Sequence, residues 1–283
     1  MNGTIIKGIG GFYYVAAEDQ TVYECKARGI FRKQNIKPMI GDKVLIEQGS
    51  IVEIFPRRTH LMRPPVANID RLVVVAAAAS PDPNLFLLDK MFVNAQKNGI
   101  LPALCINKTD LADPEHLRGI YALAGYPVYE VCAQTGKGLG VFEQFLKDTT
   151  TAFAGLSGVG KSSILNEITD VKMETGQVSD KIQRGRHTTR HVELMPLRSG
   201  GFVLDTPGFS SLEITDLPAQ DLEDCFPEME PYKNKCRFRG CAHINEPDCP
   251  VRSAVEQGEI PASRYESYKT LYESLKQIKT WEK

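Results

Sequence analysis

Two rhythms of apolar and polar positions divide the chain. Over residues 1–63 short apolar runs alternate with polar positions and are punctuated by turn formers. Residues 4–15 read as a hairpin, residues 21–27 alternate, and residues 42–47 and 50–55 flank a tight Gln48-Gly49 turn. Roughly five strands packed so closely predict a small all-β barrel, with the OB-fold as the nearest match. Pro56 and then Pro64-Pro65 mark the exit from it. From Asp70 the rhythm changes. Residues 71–76 form an unbroken apolar strand, and residues 85–98 carry a helical face of Leu88, Met91, Phe92 and Ala95. Strands over 100–106, 128–132 and 151–154 then alternate with helices over 114–123, 140–147 and 161–168. This is the pattern of a doubly wound α/β sheet covered on both faces.

Residues 172–190 are polar and aperiodic, which predicts a mobile loop. Residues 191–197 and 201–204 read as a hairpin ending at Asp205. Beyond Leu212 the pattern is mixed and mainly helical. Its last stretch, 262–283, places Tyr265, Tyr268, Tyr272 and Leu275 at helical spacing. The expected organisation is a barrel over 1–63, an α/β domain over 64–215 and a small C-terminal domain over 216–283.

Three motifs give the α/β region its chemistry. Residues 155–162, Gly155-Leu156-Ser157-Gly158-Val159-Gly160-Lys161-Ser162, fit the phosphate-cradling pattern G-x-x-x-x-G-K-S between a strand and a helix. There backbone N–H groups at a helix N-terminus wrap phosphate oxygens, Lys161 reaches the β- and γ-phosphates, and Ser162 ligates Mg²⁺. Ser163 is grouped with these nucleotide contacts. Asp205-Thr206-Pro207-Gly208 has the form D-x-x-G, in which Asp205 holds Mg²⁺ through water and the Gly208 N–H faces the γ-phosphate. Asn107-Lys108-Thr109-Asp110 has the form N-K-x-D. The Asp110 carboxylate can accept from guanine N1–H and the exocyclic amine, whereas adenine would leave it unpaired. In isolation this motif would also read as a helix cap. Residues 131–136, with Cys132 and Ala133, resemble the S-A-x-T-G loop that braces the base, and Ala133 N–H is expected to meet the guanine carbonyl. The guanine motif precedes the phosphate loop by about fifty residues, the reverse of the ordinary order, and so predicts a circular permutation.

The segment 184–190 lies between phosphate loop and D-T-P-G, where a threonine ligates Mg²⁺ and senses the γ-phosphate. Thr188 and Thr189 both qualify. Phe209 occupies the position where many such enzymes carry a water-orienting glutamine, which leaves His187 as the nearest polar candidate.

Charge and composition narrow the field less. The 283 residues carry a net charge of −1 and a 42% hydrophobic fraction, so there is material for a full core and no global basic signature. The longest apolar run, 72–79, is far short of the ~20 residues of a membrane span. The N-terminus lacks a basic, then apolar, leader, and a soluble cytoplasmic protein is expected. Of seven cysteines, Cys236, Cys241 and Cys249 crowd around His243, the four-donor set of a structural zinc, with Cys225 a weaker fifth candidate. Lys233, Lys235, Arg237 and Arg239 beside them suit a phosphate-backbone partner.

Taken together, the permuted motif order, Gly185-Arg186-His187-Thr188-Thr189, Asp205-Thr206-Pro207-Gly208-Phe209 and the Cys236/Cys241/His243/Cys249 spacing resemble the RsgA (YjeQ-like) family, the small-subunit-dependent GTPases of bacterial ribosomes. The resemblance implies an OB-fold barrel, a circularly permuted P-loop GTPase domain and a zinc domain. It further implies a late assembly factor of the 30S subunit, with GTP/GDP and 16S rRNA as partners, stimulated hydrolysis, His187 as catalytic histidine and a monomeric state. Cys132 for serine, and Arg190 after the two threonines, depart from the pattern. The competing classes are a nucleotide-switched RNA-binding module and a metabolic P-loop kinase; N-K-T-D argues against the latter.

Overall fold

The computed structural model describes residues 1–62, 64–171, 173, 192–206, 214 and 216–278. In chain order its elements are β1 (Asn2–Ile9), β2 (Phe12–Ala17), β3 (Val22–Ala27), α1 (Ile30–Lys33), β4 (Lys43–Glu47), β5 (Ser50–Ile54), β6 (His60–Met62), β7 (Pro65–Ala67), β8 (Arg71–Ala77), α2 (Leu85–Lys97), β9 (Leu101–Asn107), α3 (Glu115–Leu123), β10 (Val128–Glu130), α4 (Leu139–Leu146), β11 (Thr149–Ala154), α5 (Lys161–Ile168), β12 (Met195–Pro196), β13 (Gly201–Asp205), α6 (Glu230–Lys233), α7 (Pro250–Glu256) and α8 (Ala262–Gln277). They fall into two compact units, residues 1–72, 139–153 and 161–207, and residues 73–138, 154–160 and 208–283.

The first unit contains a closed five-stranded barrel in the order β1-β2-β3-β5-β4. β1 closes it antiparallel against β4, and β3 meets β5 in parallel, the one connection that needs a crossover. That crossover holds α1, which alternation could not reveal: its Phe31 is buried with Ile5, Val15, Cys25, Val44 and Ile51. The expected Gln48-Gly49 turn is present with both residues at positive φ, the geometry that joins twisted strands with two residues. The exit is more structured than the prolines suggest. β6 and β7 pair antiparallel, with Pro65 at the first position of its strand, where its missing N–H disrupts least.

Elsewhere in this unit β11 runs parallel to β13, and β12 pairs antiparallel with β13, as the hairpin reading expected. Asp70 joins β11: its N–H donates to Thr150 O at 2.9 Å and its carboxylate accepts from Thr150 N at 2.8 Å. The barrel is tied to this layer by the Leu194 N–H to Ile6 O hydrogen bond and the Lys7–Glu193 ion pair, 2.9 and 2.7 Å.

In the second unit the strand order is β10-β9-β8, with β10 parallel to β9. β8 and β9 are buried almost throughout, as their unbroken hydrophobicity requires. α2 starts at Asn84, whose side chain caps Leu87 N–H at 3.1 Å, and buries the expected Leu88, Met91, Phe92 and Ala95. The C-terminal residues pack through two short 3-10 turns, 219–225 and 227–229, and α6–α8 into a core that also takes in Val93 of α2. Tyr265, Tyr268, Leu271 and Leu275 of α8 face that core. Among the described residues no helix is long and apolar enough to cross a membrane.

Candidate nucleotide site and metal centre

The end of β9 delivers the guanine-motif residues. Asn107 is buried and does not project outward. Its Nδ2 donates to Val159 O at 3.0 Å, and its Oδ1 accepts from Ala133 N–H at 3.1 Å. One amide thus joins the N-K-T-D segment, the phosphate loop and the 131–136 loop. The Ala133 N–H, expected to face a guanine carbonyl, is engaged by Asn107 in this structure. Thr109 anchors the same turn through Oγ1 to Val131 O at 3.2 Å. Asp110 lies exposed at its rim, and Cys132 Sγ donates to Asp110 Oδ1 at 3.1 Å. The residue that departs from the S-A-x-T-G pattern therefore holds the carboxylate in place as a serine hydroxyl could. Lys108 adopts a φ of 61°, and its ammonium donates to Ser80 O. No sequence signal pointed to Ser80, because a backbone carbonyl leaves no residue-type signature.

The phosphate loop follows β11. Gly160 sits at φ +92°, and a Cβ there would overlap Asn107 Nδ2. Gly155, at φ +150°, would overlap Val75 O in the same way. These glycines are needed for packing on the neighbouring strand ends as well as for approach to a ligand. Leu156 is half-buried, Ser157 and Gly158 are exposed, and Val159 is buried, which pins the loop from behind and leaves its tip open.

In the first unit, Lys161, Ser162 and Ser163 open α5, and Asp205 ends β13. Thr206 fixes that strand end by donating from both N and Oγ1 to Phe153 O, at 3.0 and 2.6 Å. Burial holds the Lys161 ammonium below its ordinary pKa, and the nearby Asp205 carboxylate partly opposes this. Within this unit a helix N-terminus, a lysine and a carboxylate form a set that suits a Mg²⁺-bound phosphate. His187, Thr188, Thr189 and Gly208 lie outside the described residues.

The metal donors do converge. The ligand atoms of Cys236, Cys241, His243 and Cys249 lie within 4.8 Å of one another. A zinc tetrahedron with metal–sulfur bonds of about 2.3 Å has edges of about 3.8 Å. The Sγ–Sγ distances from Cys249 to Cys236 and Cys241 are 3.9 and 3.8 Å, and His243 Nδ1 lies 3.5 and 3.4 Å from Cys236 and Cys249. The donor set is compatible with zinc. Cys225 is not part of it: it is buried in the apolar core.

Two further acidic residues, invisible to ligand spacing, support the loop. Glu223 Oε2 lies 2.5 Å from His243 Nε2, so the far ring nitrogen is oriented by a carboxylate. Glu246 accepts backbone N–H bonds from Ala242, Ile244 and Asn245 at 2.9, 3.0 and 3.2 Å. Partial burial works against its charge, but those N–H groups win and hold the carboxyl at about 2.

Known proteins match nearly the whole length of this chain. Residues 2–50 match the RsgA N-terminal domain model and residues 54–215 the RsgA GTPase model. A protein of Agathobacter rectalis named small ribosomal subunit biogenesis GTPase RsgA is 47% identical over 98% of each chain. Its namesake in Ruminiclostridium cellulolyticum is 48% identical over 98% of this chain and 94% of its own. Among solved structures, YloQ, described as a circularly permuted GTPase, superposes with a TM-score of 0.83 at 40% identity, covering 98% of this chain and 96% of its own. YjeQ from Thermotoga maritima gives a TM-score of 0.84 at 35% identity, covering 98% and 99%. The barrel, the inverted motif order and the Cys₃His cluster therefore have one explanation: this chain belongs to the RsgA family of circularly permuted GTPases.

Proposed function

We propose that this chain hydrolyses GTP during late maturation of the small ribosomal subunit and is stimulated by that subunit. The observation that carries the reading is the double engagement of Asn107, which holds the base-reading motif against the phosphate loop although the two are inverted in sequence. The names of its relatives supply the ribosomal context.

In this reading Asp110 accepts from guanine N1–H and the exocyclic amine, while Cys132 Sγ also donates to its Oδ1. Lys108 lines the base plane, and Thr109 and Ala133 fix the loops around it. Backbone N–H groups of residues 155–163 and the Lys161 ammonium receive the phosphates. Ser162, Asp205 through water and one of Thr188 or Thr189 would hold Mg²⁺, which when bound neutralises charge on the phosphate oxygens. The Gly208 N–H addresses the γ-phosphate, and His187 orients the attacking water. Cys236, Cys241, His243 and Cys249 hold one structural zinc. The barrel (1–63) and the basic zinc loop contact rRNA, flanking a GTPase domain over 64–215, with a C-terminal domain over 216–283. The protein works in the cytoplasm as a monomer.

The test is phosphate release from GTP and from ATP, measured alone and with purified small subunits, large subunits or free RNA. Slow GTP-selective turnover, accelerated by small subunits only, is expected. Equal turnover of ATP, or indifference to small subunits, would contradict the assignment.

A further inference from the structure

α8 carries two sets of bonds from neighbouring residues. On one side, Arg264 is wholly buried. Its Nη1 donates to Asp89 Oδ1 of α2 at 2.7 Å, its Nε to Glu228 Oε1 at 2.7 Å, and its Nη2 to the Tyr126 hydroxyl at 3.2 Å. Tyr121 of α3 donates its hydroxyl to the same Asp89 oxygen at 2.9 Å. The guanidinium also lies 4.6 to 6.0 Å from the rings of Phe226, Tyr126, Tyr121 and Phe92. On the other side, the Tyr265 hydroxyl donates to His243 O at 2.6 Å and the Tyr268 hydroxyl to Ala242 O at 3.0 Å. One helix thus grips the backbone of a metal-ligand residue with Tyr265 and the α2–α3 layer with Arg264.

That layer frames the base-reading residues. α2 packs on β9, whose last residue is Asn107, and α3 begins five residues after Asp110. Tyr126 leads into β10, and β10 leads directly to Cys132, the residue bonded to Asp110. A buried ion network of this size is an inefficient way to stabilise a core, because similarly shaped apolar side chains serve as well without the desolvation cost. What it does supply is a fixed register between elements.

We infer that Arg264 and Tyr265 are positioning residues that couple the Cys₃His loop to the guanine-reading face, so that zinc and guanine nucleotide bind cooperatively. The inference rests on the nucleotide reading proposed above. Coupling of this kind is reciprocal: nucleotide must raise zinc affinity by the factor by which zinc raises nucleotide affinity, typically about 5-fold or more.

The experiment uses the full-length zinc-loaded protein. Zinc affinity is measured by equilibrium competition with a chromogenic chelator, with and without saturating GDP, and GDP affinity is measured before and after zinc removal. Tyr265→Phe removes only the hydroxyl that reaches His243 O and should fold normally. Arg264→Met is the companion variant, and Asp110→Asn is the control for the nucleotide reading. The wild type should show matched factors of about 5-fold or more at both ends. Tyr265→Phe should bring both towards one while still binding each ligand. Asp110-dependent GDP binding with zinc affinity unchanged by GDP would overturn the coupling alone, as would full coupling retained in Tyr265→Phe. GDP binding that ignores Asp110→Asn would overturn the nucleotide reading, and the inference with it.

Discussion

Substituting Gly160 by alanine tests the join between the two inverted motifs. The residue sits at φ +92°, a region costing an L side chain about 1–2 kcal/mol. The new methyl would also overlap Asn107 Nδ2, so the amide must swing away. It then loses its bonds to Val159 O and Ala133 N–H, 3.0 and 3.1 Å. Leaving buried groups unsatisfied costs about 1–3 kcal/mol each. The total is about 3–8 kcal/mol, a large share of the ~5–15 kcal/mol that holds an ordinary domain together. Gly158→Ala is the matched control. Its φ is +82°, but its Cβ would meet only Pro81 Cδ, at 3.8 Å, so the backbone cost of about 1–2 kcal/mol stands alone. Urea unfolding of both variants, with titration of a fluorescent GDP analogue, reads the difference. Gly160→Ala should unfold at clearly lower urea than Gly158→Ala and bind GDP at least ~10-fold more weakly, as loss of a single hydrogen bond to a charged group can cause. Equal midpoints and equal affinities would refute the argument that Asn107 is wedged against Gly160.

Asp110→Asn should weaken GDP by at least ~10-fold, since a charge-assisted bond contributes about 1.5–3 kcal/mol, and should favour xanthosine diphosphate, whose C2 oxygen can accept from an amide; an unchanged GDP titration would remove Asp110 from the site. Cys132→Ser should preserve the preference for GDP over inosine diphosphate, whereas Cys132→Ala should erode it; equal selectivity in both would show that the thiol does not orient Asp110. Glu223→Gln should lower zinc affinity by ~10–100-fold in a chelator competition, because His243 loses its orienting carboxylate; unchanged affinity would count against that role. For Lys161 the sign follows from its lowered pKa, which burial causes against the opposing Asp205. Phosphate favours the ammonium, so GDP binding takes up a proton and weakens as pH rises towards and past the ordinary lysine value of about 10.4. Isothermal titration at alkaline pH, in buffers of different ionisation enthalpy, checks this, and absence of proton uptake there in the wild type would contradict it.

What was legible in the sequence depended on whether a signal repeats or stands alone. β8, β9 and α2 were readable because periodicity accumulates over many positions, and α5 because a motif fixes its start. α1 was not: four residues make one turn, and only Phe31, filling the barrel, justifies it. The β6–β7 hairpin hid behind two prolines that usually signal its absence. The zinc donors were legible from residue type and spacing, but Glu223 and Glu246 were not, since nothing marks a carboxylate as bound for a ligand's far nitrogen or a loop's N–H groups. Asp89 and Arg264 carry no sequence signal that marks them as members of a buried network. Their partners lie as far as 175 residues away in sequence, a distance at which pattern carries no information.

The central claim, a GTPase gated by the small ribosomal subunit, is tested most directly by single-turnover cleavage of γ-labelled GTP on preformed complexes with small subunits. Preforming the complex separates docking from chemistry. The wild type should cleave on the subunit at a rate ~10²–10⁴-fold above its rate alone, the usual gain from a positioned proton- or water-handling group. His187→Ala should bind GTP and subunit normally and lose most of that gain. A wild-type rate that is the same on and off the subunit would contradict the account.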